Sequence, residues 1–310
     1  MKAYRYEMIL LGLLAAVLGM AGVLDPTFLS AHVQAELSVE IWELALMTLG
    51  MTLIIITAGI DLSVGSAMGL CSVVLGLCMY HGLPEPVCIL ACLATGMLAG
   101  ALNGVLVSKI KVHPLLVTLA TYGMYRGFAE GLQGVTTNSP VEALPGLKAL
   151  FAGSFPTVQV VFALLAVWIA VLLARTALGR SLYAIGHNEE AARFSGLPVD
   201  RLKFALYTGA GILSALAALS YSARRSATAE AGTGIELDVI TAVVVGGTSI
   251  YGGRGRVVGT LLGVILIHET RQFVDWYWQR SELTLIVIGT LLISSLLGHR
   301  VLFPDKGRAT

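Results

Sequence analysis

Long apolar runs, rather than any polar motif, set the first constraint on this chain. Windows near 7–24, 41–59, 66–80, 87–108, 114–129, 157–174 and 204–222 hold at most one charged residue each, and three shorter or interrupted windows follow near 236–250, 257–270 and 282–298. A hydrocarbon layer of roughly 30 Å takes about 20 apolar residues of helix, and backbone amides inside it must find partners within the protein. The pattern predicts an all-α polytopic membrane protein of about ten transmembrane helices, with residues 1–310 forming one transmembrane domain. Composition agrees, since 56% of the 310 residues are hydrophobic and 13% charged, a balance unlike that of soluble domains.

Lys2 and Arg5 ahead of the apolar stretch 8–20 resemble the start of an export signal. No small-x-small cleavage site leading into a soluble body follows, so the stretch is expected to be a retained first span. The 20 basic and 19 acidic residues give a net charge of +1, which leaves no basic surplus for a nucleic-acid backbone. Threading the loops alternately across the bilayer puts fourteen of the 20 basic residues on the side of the N-terminus. Basic residues accumulate in cytoplasmic loops, so both termini are expected in the cytoplasm. The largest outer connection, 130–156, carries Pro140, Pro145 and Pro156 and reads as a structured periplasmic loop with one short interfacial helix. The four cysteines lie in or beside apolar stretches, where a thiol acts as a small hydrophobe, and indicate neither a disulfide framework nor a redox pair.

The largest inner connection, 175–203, contains a short helix with its own start and stop signals. Asn188 can cap it, and Glu189 and Glu190 suit its positive end. Ala191, Ala192, Arg193 and Phe194 continue it, and Ser195, Gly196 and Pro198 end it. Two turns of helix do not persist alone in water. This one therefore either rests on its own membrane domain or docks into a partner through Phe194 and its alanine surface.

Two glycine-punctuated breaks interrupt the apolar pattern. In 57–66, Asp61 stands between two apolar segments with Ser63 and Gly65 beside it. An unpaired carboxylate there is expensive to bury, so Asp61 is read as a cap or turn at the inner face, a residue of the transport path, or an ion-coupling group. The second break, 232–256, begins with Glu236 and Asp238 and ends with Gly246, Gly247, Gly252, Gly253 and Gly255 around Arg254. Residues 59–65 and 247–253 share both terminal glycines, and both run from outside to inside. That likeness suggests two parallel repeats, 41–129 and 204–298.

Catalytic signatures are missing. His268-Glu269 is not followed by the second histidine of a zinc helix, no nucleophile elbow occurs, and neither glycine cluster has Walker A spacing. The chain is expected to be no enzyme, and to bind no metal or cofactor itself. An ion-coupled secondary transporter using Asp61, Glu236 or Asp238 is the alternative.

The residues 59–66, Asn103-Gly-Val-Leu-Val107, Val117-Thr-Leu119 with Arg126-Gly127, 186–196 and 232–259 occur in one order across most of the chain. In this the sequence closely resembles the membrane permeases of bacterial ABC importers for monosaccharides, the ribose, rhamnose, arabinose, galactose and autoinducer-2 group. The resemblance implies a multi-pass inner-membrane protein of about ten helices paired with a second copy or a similar permease. It also implies two cytoplasmic ATP-binding subunits that carry the ATP and magnesium, and a periplasmic sugar-binding protein. Residues 186–196 would be the coupling helix entering an ATPase cleft, and the Asp61 and 246–255 breaks would support the translocation helices from their inner ends. No substrate-binding residue is identified. His187 and Ala120 stand where relatives usually have glycine, and His113-Pro114 replaces paired prolines.

Overall fold

A computed structural model of the chain describes residues 5–134, 145–151 and 157–302, and all its regular structure is helical. In chain order the helices are α1 (Arg5–Leu24), α2 (Ala31–Leu37), α3 (Ile41–Ile56), α4 (Val64–Tyr80), α5 (Glu85–Ser108), α6 (Pro114–Gln133) and α7 (Pro145–Phe151). They continue with α8 (Thr157–Arg175), α9 (Ala177–His187), α10 (Glu189–Phe194), α11 (Val199–Ser222), α12 (Ile235–Val245), α13 (Val257–Trp278) and α14 (Ser281–Leu302). Each apolar window of the sequence coincides with one of them.

The number of crossings is smaller by the criterion of length and composition. Five helices are long and apolar enough: Tyr6–Leu24, Ala31–Ile56, Glu85–Ser108, Val199–Ser222 and Val257–Trp278. A sixth arises if Gln159–Arg175 and Ala177–His187, bent by 73° at their junction, count as one. The expectation of about ten transmembrane helices, three of them short or interrupted, differs from this count for a physical reason. The 11 residues of α12 reach only about 16 Å, roughly half the hydrocarbon thickness. The 17 residues of α4 fall short as well, and α6 carries Arg126 and Glu130.

The central helix is α3, which is buried almost all round. Its Gly50 faces the Ala210 backbone of α11, and its Thr52 hydroxyl meets Thr260 of α13 at 3.0 Å. The closest packing is carried by glycine. A Cβ at Gly96 of α5 would lie 2.3 Å from the Gly211 carbonyl of α11, and one at Gly263 of α13 would lie 2.0 Å from the Ala242 carbonyl of α12. Small residues let helices approach where no hydrophobic effect drives them together, the situation inside a bilayer. Large apolar side chains such as Leu90, Leu98, Leu164 and Trp168 face outward instead, where lipid is their natural solvent.

Polar contacts gather at the two ends of the bundle. At one end Glu7 pairs with Arg256 at 3.0 Å. At the other, Arg224 bonds Glu43, Arg225 bonds Glu40, and the Trp276 indole donates to Asp25 at 2.9 Å. The helix α7 sits at this second end, where Glu85 accepts from the backbone amides of Gly146, at 3.1 Å, and Leu147. It is the short helix expected within 130–156; Pro140 and Pro156 lie outside the described residues.

The segment between α11 and α12 is not a surface loop. Ala227 lies against Gly76, and Gly232 against Gly65, so the chain descends along α4 for eleven helical residues, about 16 Å. Side chains satisfy its backbone on the way. Ser72 accepts from Thr228 N at 3.1 Å, Gln133 accepts from Ala229 N, and Arg126 donates to the Ala229 carbonyl. Non-helical backbone at membrane depth survives where protein groups replace water in this way.

Candidate coupling face and its glycine junction

Three segments that are far apart in sequence converge at the end of the bundle holding Glu7 and Arg256. The first is the end of α3. Thr57 terminates it, and Ala58 turns the chain at φ 59°. The second is α9, whose start is fixed by Thr176 accepting from Gly179 N at 3.1 Å. The third is the glycine run between α12 and α13. Gly253 N donates to the Ile56 carbonyl at 2.9 Å, and the Tyr183 hydroxyl donates to the Gly255 carbonyl at 2.8 Å.

Gly186 is the centre of the junction. A Cβ there would lie 1.8 Å from the Ile56 carbonyl and 2.5 Å from Gly253 N, so three backbones meet where no side chain fits. Gly252, at φ 81°, is in the left-handed region that glycine adopts freely, and its Cα packs on Gly186 and Ala58. Gly246 lies against Gly259 at the α12–α13 crossing, and Gly247 against the ring of Tyr6. The break after α3 and the glycine break after α12 therefore belong to one joint.

The helix α10 projects from this joint. Asn188 accepts from Ala191 N at 2.9 Å, so it caps the helix as its sequence indicates. Glu189 is held from two sides, by Arg193 at 2.9 Å and by Lys203 of α11, and Arg193 also bonds Asp200. Ala192 packs inward against Ile185 and Val199. The Ser195 hydroxyl donates to the Ala191 carbonyl at 2.9 Å, and Gly196 ends the helix at φ 80°. Glu190 and Ala191 face outward with Phe194, which is 85% exposed. Partial burial would raise the Glu189 carboxyl, but the bonds from Lys203 and Arg193 outweigh it and hold it below its ordinary value. Bonds from Asp200 and Glu189 push the Arg193 guanidinium higher still. The helix is thus a stiff projection with an aromatic tip.

Asp61 stands apart from this face, deeper in the bundle. It folds an Asx turn, accepting from Ser63 N at 2.9 Å and from the Ser63 hydroxyl at 2.6 Å. Asn103 donates to the Ser63 hydroxyl oxygen at 2.7 Å, and Tyr125 donates to the Ala99 carbonyl at 2.8 Å beside it. Among the described residues no ion pair reaches Asp61. Gly65 lies against Gly232 and the Glu236 carboxylate, so the two breaks also meet in the interior. His113, which departs from the usual paired prolines, accepts from Leu115 N at 3.3 Å and caps α6.

Sequence reasoning missed the ion pairs at the end of the bundle opposite Glu7 and Arg256. Arg224, Arg225 and Arg271 are among the six basic residues on the side away from the N-terminus in that threading, and their partners Glu43, Glu40 and Asp238 were not recognised. The available signal was charge of opposite sign at the same ends of neighbouring spans.

Comparison with known proteins adds to this geometry. Residues 34–296 match the family described as branched-chain amino acid transport system, permease component. The chain belongs to that family. A ribose import permease protein, RbsC of Bacillus subtilis strain 168, is 37% identical over 298 residues, 94% of this chain and 91% of its own length. An autoinducer 2 import system permease protein, LsrD of Yersinia enterocolitica, is 32% identical over 308 residues, 97% of this chain and 93% of its own. A solved structure, an inward-facing conformation of a metal-chelate type ABC transporter, superposes with a TM-score of 0.56 at 15% identity. It covers 94% of this chain and 99% of that one, and shows likeness of fold alone. As a permease component the chain is a polytopic α-helical protein of the bacterial inner membrane that does no covalent chemistry. Among the described residues no group of three His, Cys, Asp or Glu side chains could hold a metal ion.

Proposed function

We propose that this permease forms the translocation pathway of an ATP-driven, binding-protein-dependent importer of a monosaccharide-class cargo such as ribose, rhamnose or autoinducer 2. It works beside a second copy or a similar permease, with two cytoplasmic ATP-binding subunits and a periplasmic sugar-binding protein. Helices α1, α3–α6, α8 and α11–α14 make up a ten-helix membrane body, with α12 as a half-length member. Residues 41–129 and 204–298 are two repeats, a reading supported by the same helix–break–helix arrangement at α3–α4 and α12–α13.

The observation that carries the proposal is α10. Its inner side is fixed to α9 and α11, its outer side presents Phe194, and its base is the junction that joins α3 to the α12–α13 turn. Residues 186–196 are the coupling helix: movement imposed on Phe194 by an ATP-binding subunit passes through Gly186 to the inner ends of the central helices. ATP binding then changes which side of the pathway is open, provided the two arrangements lie within a few kcal/mol of each other. Asp61, Ser63, Gly65, Asn103, Glu236 and the glycines 246–255 hold the inner ends of those helices in place.

Of the three carboxylates available to the ion-coupled alternative, Asp61 is engaged by Ser63 and Asp238 by Arg271, which leaves it Glu236, whose Oε2 is buried without a partner. Vesicles carrying the complete complex separate the two readings. Uptake of labelled ribose or rhamnose is expected to require internal ATP, the ATP-binding subunits and the binding protein. Uptake by this polypeptide alone, driven by a proton or sodium gradient, would overturn the proposal.

A further inference from the structure

The outer half of the bundle contains a cavity of about 240 Å³ between α3, α11, α12 and α13, reaching Met68 of α4 and the descending segment at Gly232 and Thr233. We propose that it is a binding pocket for one neutral polyhydroxylated molecule, a resting point for cargo on the outer side; the assignment of cargo class rests on the importer reading above.

The wall is charged, yet its charges are matched. Arg224 is bonded to Glu43, Arg225 to Glu40 and Arg271 to Asp238, so the pocket offers no free cation for a phosphate. Glu230 adds one exposed carboxylate at the rim, too little to form a cation site. Each paired carboxylate keeps spare lone pairs and each guanidinium keeps spare N–H groups, and a hydroxyl can donate to the one and accept from the other. A sugar ring carries several such groups at close spacing. It also has apolar C–H faces, for which Leu44, Met68, Ile235 and the Tyr221 ring provide matching surface.

His268 is part of the same wall. It is 4% exposed and lies on the cavity wall. Its ring faces the Leu37 main chain, while Nε2 has no protein partner. That atom has no surface open to the cavity, so a ligand hydroxyl would reach it only after a turn of the ring. The size fits as well, since pockets for drug-sized ligands begin near about 300 Å³ and this one is somewhat smaller.

Thiol protection in the assembled complex tests the proposal. In a Cys78→Ala background Thr233→Cys places an accessible thiol on the wall, the three other cysteines being buried. Ribose, rhamnose and galactose serve as neutral probes, ribose 5-phosphate as the anionic one. A neutral sugar at about ten times its Kd leaves the pocket open about a tenth of the time, so maleimide labelling should slow about tenfold. Ribose 5-phosphate should give no protection. Equal labelling with and without all three neutral sugars, the result for a pocket that holds only water, would overturn the proposal. So would protection by ribose 5-phosphate alone. Failure of the importer reading looks different: protection without ATP-dependent uptake would retain the pocket and remove that reading, and uptake without protection would do the reverse.

Discussion

Gly186→Ala probes the joint beneath α10 most directly. The added Cβ would lie 1.8 Å from the Ile56 carbonyl and 2.5 Å from Gly253 N, whereas unstrained heavy-atom contacts need about 3.5 Å. The Gly186 end of α9 must therefore retreat by about 1.5 Å from the α3 end, and the Gly253 N–Ile56 O bond of 2.9 Å must open to make room. Overpacking costs about 1–3 kcal/mol, and a buried hydrogen bond left unmade costs about 1–3 kcal/mol more. A total near 4 kcal/mol corresponds to a lowering of the melting temperature by roughly 10 °C. Gly209→Ala is the control, because nothing lies within 4 Å of its Cβ and alanine is favoured over glycine in a helix interior. Melting of the purified complex in detergent, followed by tryptophan fluorescence, should separate the two variants. Sugar-stimulated ATP hydrolysis should fall in Gly186→Ala and stay normal in Gly209→Ala. If both variants melt with the wild type, or both fall together, the junction does not have the role assigned to it.

Phe194→Ala removes a side chain whose burial against a partner contributes about 2 kcal/mol, so affinity for the ATP-binding subunits should weaken by roughly thirtyfold. Titration of detergent-solubilised permease with those subunits measures this, with membrane insertion unchanged. Glu190 substitutions and shortening of 186–196 should likewise lower sugar-stimulated ATP hydrolysis more than insertion. The Glu189 carboxyl is held below its ordinary value of 4.5, so its contribution is fully present above that value and lost as pH falls through the lower, folded-state one. Hydrogen-exchange protection factors of 189–196, taken relative to the intrinsic rate at each pH, should stay constant from neutral pH down to 4.5 and fall only below it, and a fall between pH 7 and 5 would contradict the assignment. Ser63→Ala removes both the 2.6 Å bond to Asp61 and the acceptor of Asn103, and should cost about 2 kcal/mol in thermal or denaturant stability. Arg224→Ala leaves Glu43 buried without its partner and should cost about 3–5 kcal/mol, with much of the loss recovered in Arg224→Leu/Glu43→Leu. A double variant no more stable than the single one would count against that pairing.

Much of the helical framework was legible along the chain, because apolar run length and capping residues act locally. Asn188 does cap α10, and each apolar window is a helix. The number of crossings was less legible. Hydropathy does not distinguish a full span from the half-length α12, whose start is set by the segment 227–232 descending along α4. The Asp61 break was recognised as a place where the carboxylate needs a partner, but sequence left three roles open; the Asx turn onto Ser63 and the bond from Asn103, forty residues away, came from packing.

The sequence by itself determined which segments are helical, that they belong in a bilayer, and where the short helix α10 begins and ends. Each of these follows from residues within a few turns of one another. Tertiary structure alone decided that Ile56, Gly186 and Gly253 form one joint, that Glu43 and Arg224 share a cavity wall, and that Phe194 is the side chain left outside. The physical reason is that these contacts join residues as many as 197 positions apart, often through glycine backbone, which has no side chain to announce in the sequence what it touches.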